Sequence, residues 1–172
     1  MNIGIGGSSN SGKSTLAIKL VEVLGKDKAI HLCQDDYVFP KDELRIINNH
    51  TDWEYPATIN FNNFMKAVEK ANQNYQYIIC EGIFAFNFEA LNKIYDYKIM
   101  LDIDYKTFLQ RKRKDHRWGV EPEWYIQHIW NSMLQWNKNI DRSNLIHINA
   151  QQEIDTRQLL KKMKIEKAIK AI

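Results

Sequence analysis

The chain has 172 residues, enough for one domain that buries roughly two-thirds of its unfolded surface. With 44% hydrophobic and 26% charged residues, and only seven Gly and three Pro, its composition is that of a globular protein without long disordered linkers. A net charge of +3 is too small by itself to mark a nucleic-acid binder, and no apolar run approaches the roughly twenty residues that span a bilayer. The first strand begins at once, with no basic-then-apolar leader before it, so a cytoplasmic protein is expected. Cys33 and Cys80 each close an apolar run ahead of an acidic residue. They read as buried small hydrophobes in a reducing compartment, not as a disulfide or a metal pair.

In chain order, residues 3–6 form a short apolar strand, and Gly7-Ser8-Ser9-Asn10-Ser11-Gly12-Lys13-Ser14 follows it. This string fits G-x-x-x-x-G-K-[ST], the phosphate-binding loop. Leu16, Ala17, Leu20, Val21 and Leu24 then recur at helical spacing, with Gly25 as the expected C-cap. A strand, a glycine-rich turn and a helix N-terminus make an anion site, because backbone N–H groups and the helix dipole point at the same place. Gly7 and Gly12 permit backbone angles that a side chain would obstruct. Lys13 supplies a cation for the outer phosphates, and the Ser14 hydroxyl suits Mg²⁺.

Apolar runs at 29–33, 77–80, 98–103 and 145–148 supply four further strands. Between them lie helical patterns. Phe61, Phe64, Met65 and Val68 make one stripe behind Asn60 as N-cap; a short helix spans about 88–94; Asp104 caps a helix carrying Phe108 and Leu109. Ile126, Ile129, Trp130, Met133 and Leu134 mark a longer helix, which Glu121-Pro122 introduces. A basic amphipathic helix is expected over about 155–169, with Lys161, Lys162, Lys164, Lys167 and Lys170 as a solvated face. Strands alternating with helices predict an α/β fold of three layers, α/β/α, with a five-stranded parallel sheet.

In such a sheet, ligands sit beyond the carboxyl ends of the strands. The second strand ends in Gln34-Asp35-Asp36-Tyr37 and the third in Glu81-Gly82. Carboxylates beside a triphosphate cradle are what Mg²⁺-assisted phosphoryl transfer needs: a metal to neutralise the phosphates and a base for the attacking hydroxyl. Asp35 is the preferred base over Asp36, since neighbours in extended chain point to opposite faces. Asp36, with Tyr37, then helps to position the acceptor, or caps the chain locally. Glu81 is expected to hold the metal directly or through water. Residues 102–118 carry Arg111, Lys112, Arg113, Lys114 and Arg117, a cationic cluster that suits a lid over the phosphates at about 111–123. A solvated basic face is the alternative, and no base-reading motif accompanies the cluster to suggest nucleic acid. In Asp52-Trp53-Glu54-Tyr55-Pro56, Trp53 could stack on a planar ring and Glu54 could bind sugar hydroxyls, or both aromatics could lie buried under the loop.

The series Gly7 to Thr15, Gln34-Asp35-Asp36-Tyr37, Asp52-Trp53-Glu54, Ile79-Cys80-Glu81-Gly82-Ile83-Phe84-Ala85-Phe86-Asn87, the basic helix and Trp124, His128 and Trp130 resembles the nicotinamide riboside kinases. These are a branch of the uridine-kinase-like P-loop kinases. The resemblance implies transfer of the γ-phosphate of ATP to the 5′-hydroxyl of nicotinamide riboside, with Mg²⁺. It implies Asp35 as proton acceptor and metal neighbour, Ser14 as metal ligand, Trp53 stacked on the pyridine ring and Glu54 on ribose hydroxyls. Arg111, Arg113 and Arg117 would face ATP, and Gln151, Gln152 and Glu153 would lie near adenine. Lys112 stands where the family has a substrate-binding arginine; lysine makes no bidentate fork, so Arg113 is the alternative there. Glu54 is one methylene longer than the family's aspartate.

The implied partners are a small nucleoside and ATP, with no nucleic acid and no membrane, in a monomer or weak homodimer. A uridine or cytidine kinase is the runner-up, because a stacking Trp53 does not separate pyridine from pyrimidine. A GTPase or a non-catalytic nucleotide sensor stands further off: the nearest string to a guanine-reading N-K-x-D is Asn137-Lys138-Asn139-Ile140, which lacks the aspartate.

Overall fold

The computed structural model describes residues 1–117 and 119–165. Five parallel strands form one sheet: β1 (Asn2–Gly7), β2 (Ala29–Cys33), β5 (Tyr77–Glu81), β6 (Tyr97–Asp102) and β7 (Leu145–Asn149), in the order β2-β5-β1-β6-β7. A separate antiparallel hairpin, β3 (Ile46–Ile47) and β4 (His50–Thr51), turns through Asn48 and Asn49 at φ 45° and 61°. Two consecutive left-handed residues match the right-handed twist of a two-residue hairpin, and asparagine tolerates that region better than most side chains.

Helices cover both faces of the large sheet. The period of two along β1 explains why. Ile3 and Ile5 turn to one face, where α1 (Lys13–Leu24) and α6 (Thr156–Lys162) pack through Leu16, Leu20, Leu159 and Leu160. Ile78 and Cys80 on β5 turn to the other face, under α2 (Phe61–Asn74) and α3 (Glu89–Ile94), through Phe64, Val68 and Leu91. Glycines occupy that second face of β1, because bulky groups cross it: a Cβ on Gly6 would stand 2.5 Å from the Phe86 ring. The three layers and the parallel sheet are therefore as the pattern predicts.

The caps behave likewise. Asn60 accepts from the Asn63 amide at 3.2 Å and Asp104 from that of Thr107 at 2.7 Å, opening α2 and α4 (Tyr105–Lys112). On α5 (Glu123–Asn137) the buried stripe is Tyr125, Ile126, Ile129 and Ser132. Leu134, expected in that stripe, is 54% exposed, because the helix rotates its face toward the hairpin instead. The C-terminal helix is shorter than expected. It ends at Lys162, with Met163 and Ile165 buried against the sheet and Lys161, Lys162 and Lys164 in solvent. Lys167, Lys170 and the rest of the expected helix lie outside the described residues. No helix among the described residues is long and apolar enough to cross a membrane.

Strand order places the site. β1, β2 and β5 are neighbours, so the segments leaving their carboxyl ends converge, and from β5 the chain crosses over β1 to β6. A crevice opens at such a reversal.

Candidate active site

The loop from β1 to α1 carries the anion cradle. Gly12 caps α1 at φ 97°, a left-handed angle that strains any residue with a Cβ, and this turn aims the first amides of the helix inward. Lys13 is buried, and its ammonium donates to the Ser8 carbonyl at 2.9 Å, lying across the loop. Among the described residues, the buried Ser8 and Ser11 hydroxyls have no hydrogen-bond partner. Buried polar atoms are normally paired, so these two mark a loop built around something it does not itself contain. Ser9 bonds within the loop, to Asn10, while Thr15 is exposed on α1.

Next to Lys13, the Ser14 hydroxyl donates to Glu81 Oε1 at 2.7 Å. Glu81 is the last residue of β5 and is 2% exposed. His31 Nε2 lies 3.3 Å from the same oxygen, and since an ionised carboxylate only accepts, this nitrogen carries the proton. Burial alone would raise the Glu81 carboxyl. His31, the Lys13 charge, the Cys33 thiol and Ser14 together outweigh it and hold the group at about 2. Glu81 is thus an anion at neutral pH, paired with a hydroxyl at a helix N-terminus. Hard oxygen donors of this kind fit Mg²⁺.

Asp35 sits in a 3-10 turn, Gln34–Tyr37, that leaves the end of β2. The premise of extended chain there does not hold; the turn, not strand alternation, separates Asp35 from Asp36. Solvent reaches Asp35 from the crevice. The crowding around it raises its carboxyl, Lys13 and Arg117 pull it back down, and Glu81 and Asp36 push it up. Lys13, Glu81 and Asp35 therefore act on one another across one crevice. Asp36 is exposed, and Tyr37 packs edge-on against Phe64 with centroids 5.2 Å apart. Cys33 is only partly buried and joins this acidic group, contrary to its reading as a core residue; Cys80 is fully buried as expected, and neither forms a disulfide.

The basic segment divides in four. Arg111 donates to the Asn10 carbonyl at 3.2 Å and the Ala150 carbonyl at 2.8 Å, clipping the phosphate loop to the end of β7. Arg117 pairs bidentately with Asp115, which also accepts from Asn10 Nδ2 at 2.8 Å. Arg113 points instead to Glu123, in a bidentate pair in open solvent. Lys112 is buried, 2.8 Å from Glu121. Beyond β7, Gln151 exchanges hydrogen bonds with Asp104 at the start of α4, and Gln152 and Glu153 are exposed.

The opposite wall is the stretch after the hairpin. Asp52 has no exposed surface. Arg45 reaches it at 2.5 Å, His128 Nε2 at 2.9 Å and the Glu54 amide at 2.9 Å. These three partners make it a brace that holds the loop in shape. The Trp53 amide donates to the Tyr125 hydroxyl at 3.0 Å, and the Trp136 indole to the Glu54 carbonyl at 2.9 Å. Trp53 is half-buried against the cluster of Phe108, Tyr125 and Ile129. Glu54 is 8% exposed. Burial drives its carboxyl up to about 8, against the pull of Lys112 and with the help of Asp52, Glu121 and Asp35. It is a neutral acid at pH 7, able to donate as well as accept.

Asp35, Glu81 and Arg117 thus gather around the phosphate loop, Glu54 and Lys112 lie together on the facing wall within electrostatic reach of Asp35, and Arg113 and Gln151 are turned to partners elsewhere. Sequence reasoning missed Asp115 and Tyr125, which brace this crevice, and His31 beneath it. Only His31 carried a signal, a polar residue two before Cys33 in a strand otherwise apolar. A cavity of about 830 Å³ lies elsewhere, lined by Phe86, Asn87, Asn92, Gln135 and Trp136; its lining includes neither the phosphate loop nor Asp35.

No protein-family model matches the chain. Among curated proteins, nicotinamide riboside kinase 1 of Rattus norvegicus is 27% identical over 150 residues, covering 77% of this chain and 76% of that one. Uridine kinase of Saccharomyces cerevisiae is 25% identical over 138 residues, covering 64% of this chain and 28% of that one. Among solved structures, shikimate kinase from Bacteroides thetaiotaomicron superimposes with a TM-score of 0.63 at 16% identity, covering 95% of this chain and 98% of that one. Thymidylate kinase from Candida albicans gives 0.60 at 17% identity, over 98% and 93%. The chain therefore has the P-loop kinase fold, and the curated relatives it matches are nucleoside kinases, phosphotransferases that include nicotinamide riboside kinases and a uridine kinase.

Proposed function

We propose that this chain is a nucleoside kinase that transfers the γ-phosphate of ATP to the 5′-hydroxyl of nicotinamide riboside, in NAD salvage. The observation that carries the reading is the convergence of Lys13, the Ser14–Glu81 pair and Asp35 on one crevice. Its sequence likeness to nicotinamide riboside kinase 1 supports the acceptor. We place it in the cytoplasm, as a monomer or weak homodimer without nucleic-acid partners.

Each side chain has a part in this scheme. The loop amides and Lys13, exchanging the Ser8 carbonyl for phosphate oxygens, hold the β and γ phosphates. Ser14 and Glu81 would hold Mg²⁺, which when bound neutralises charge on those phosphates. Asp35 aligns the acceptor hydroxyl and takes its proton at a carboxylate oxygen. Arg117 leaves Asp115 to face the transferring group, and Arg111 fixes the loop from behind. Neutral Glu54 donates to a ribose hydroxyl, and Trp53 stacks on the base.

The test is incubation with ATP, Mg²⁺ and a panel of nucleosides, reading ADP. Turnover of nicotinamide riboside is expected, at roughly 1–100 per second. No turnover of any nucleoside removes the proposal. The match to a uridine kinase favours a second reading, a pyrimidine nucleoside kinase. Turnover of uridine or cytidine alone would select it.

A further inference from the structure

We infer that His31, Cys33 and Glu81 form a binding site for a soft divalent cation of the zinc class, at the floor of the crevice. The inference stands on the register of β2 and β5 and does not depend on the kinase reading.

Strand geometry builds the site. His31 and Cys33 are two residues apart on β2, so their side chains leave the same face of the sheet. In the parallel register Cys33 lies beside Glu81, and His31 beside Ile79. The His31 ring nitrogen, the Cys33 sulfur and a Glu81 carboxylate oxygen all lie within 4.8 Å of one another. A tetrahedral zinc ion, with metal–sulfur near 2.3 Å and metal–nitrogen or –oxygen near 2.1 Å, requires its ligand atoms to be about 3.4–3.6 Å apart. His31 and Glu81 already stand 3.3 Å apart. The remaining closure takes rotation of side chains, on strands that the ladder holds fixed.

The donor set selects the ion. One imidazole, one sulfur and one carboxylate suit zinc or cobalt, whereas magnesium takes oxygens and leaves thiols alone. Coordination forms the metal–sulfur bond and breaks the S–H bond, releasing that proton to solvent, and it forms the metal–Nε2 bond as His31 exchanges its Nε2 proton through solvent for one on Nδ1, so one proton is released in all. Three protein ligands leave the fourth position to water or to the Ser14 hydroxyl, which already bonds Glu81. The site therefore shares Glu81 with the hard-ion pair described above, and the two ions would compete for that carboxylate. Cys80 points into the opposite core and takes no part.

Cobalt is the probe, because its spectrum reports both geometry and sulfur. The reduced protein, titrated with Co²⁺, should bind one equivalent. It should develop tetrahedral ligand-field bands and a thiolate-to-cobalt charge-transfer band, both bleached by an equivalent of Zn²⁺. Cys33→Ser should abolish the charge-transfer band, and Cys80→Ser should leave it intact. His31→Gln should weaken Co²⁺ binding at least tenfold. On the unmutated protein, Zn²⁺ should protect Cys33 from iodoacetamide, a readout that needs no variant to fold. Absence of the charge-transfer band, its survival in Cys33→Ser, or unprotected Cys33 at saturating Zn²⁺ overturns the assignment.

Discussion

Replacing Glu54 with glutamine tests the electrostatics of the crevice wall without removing bulk. Glu54 is 8% exposed, and its carboxyl is raised to about 8 by burial, with Asp52, Glu121 and Asp35 adding to the rise against Lys112. In the unfolded chain the same group titrates near its ordinary value of 4.5. Between those two values the unfolded state has given up a proton that the folded state keeps. Stability therefore falls as pH rises, by about 1.4 kcal/mol per pH unit. From about pH 5.5 to about pH 7.5 the loss through this one group is about 3 kcal/mol. Glutamine has the same shape and no proton to lose. Urea unfolding of both proteins, without nucleotide, should show the variant gaining on the parent by about 3 kcal/mol over that interval, with unchanged denaturant slopes. A difference between the two proteins that stays constant with pH would mean that Glu54 is ionised throughout, and would refute the reasoning.

Asp35→Asn should lower turnover at least ~100-fold while leaving ATP affinity within about threefold, by coupled ADP assay and calorimetry. Because crowding raises the Asp35 carboxyl above its usual 3.8, the acid limb of kcat/KM should lie above that value in the parent. Trp53→Ala should raise the nucleoside KM roughly tenfold or more by loss of stacking, with the ATP KM little changed; equal damage to both would assign Trp53 to the core alone. Gly6→Ala places a Cβ 2.5 Å from the Phe86 ring on a strand that cannot shift. It should cost about 1–3 kcal/mol, read as a melting temperature lower by roughly 3–10 °C.

Much of the fold was legible because its signals are local. The phosphate loop, the caps at Asn60 and Asp104, and alternating apolar runs each follow from neighbours in sequence. The placement of Asp35 and Glu81 was legible from a single topological rule about strand ends. What escaped depends on partners far along the chain. Asp52 reads as a loop carboxylate until Arg45 and His128 close on it. Arg113 and Arg117 look alike in a basic run, and only Glu123 and Asp115 tell them apart. Leu134 satisfies the helical spacing, but the face that α5 turns to Ile47 of the hairpin and to Phe108 decides which stripe is covered. The hairpin itself was announced by Asn48-Asn49, a turn signal that two-residue strands left without context.

The bonds that tie the stretch after the hairpin to α5 have a kinetic consequence. Trp53 to Tyr125, Asp52 to His128 and Glu54 to Trp136 span 72, 76 and 82 residues. Each closes a long loop before it returns any energy, and the hairpin has no core of its own to hold it meanwhile. This wall is therefore expected to assemble after the sheet and to open as one cooperative unit, with its amides exchanging together. The phosphate cradle, by contrast, is anchored on the central strand and should outlast it. Recognition of the second substrate would then rest on the most labile part of the molecule, and handling of the triphosphate on the most durable.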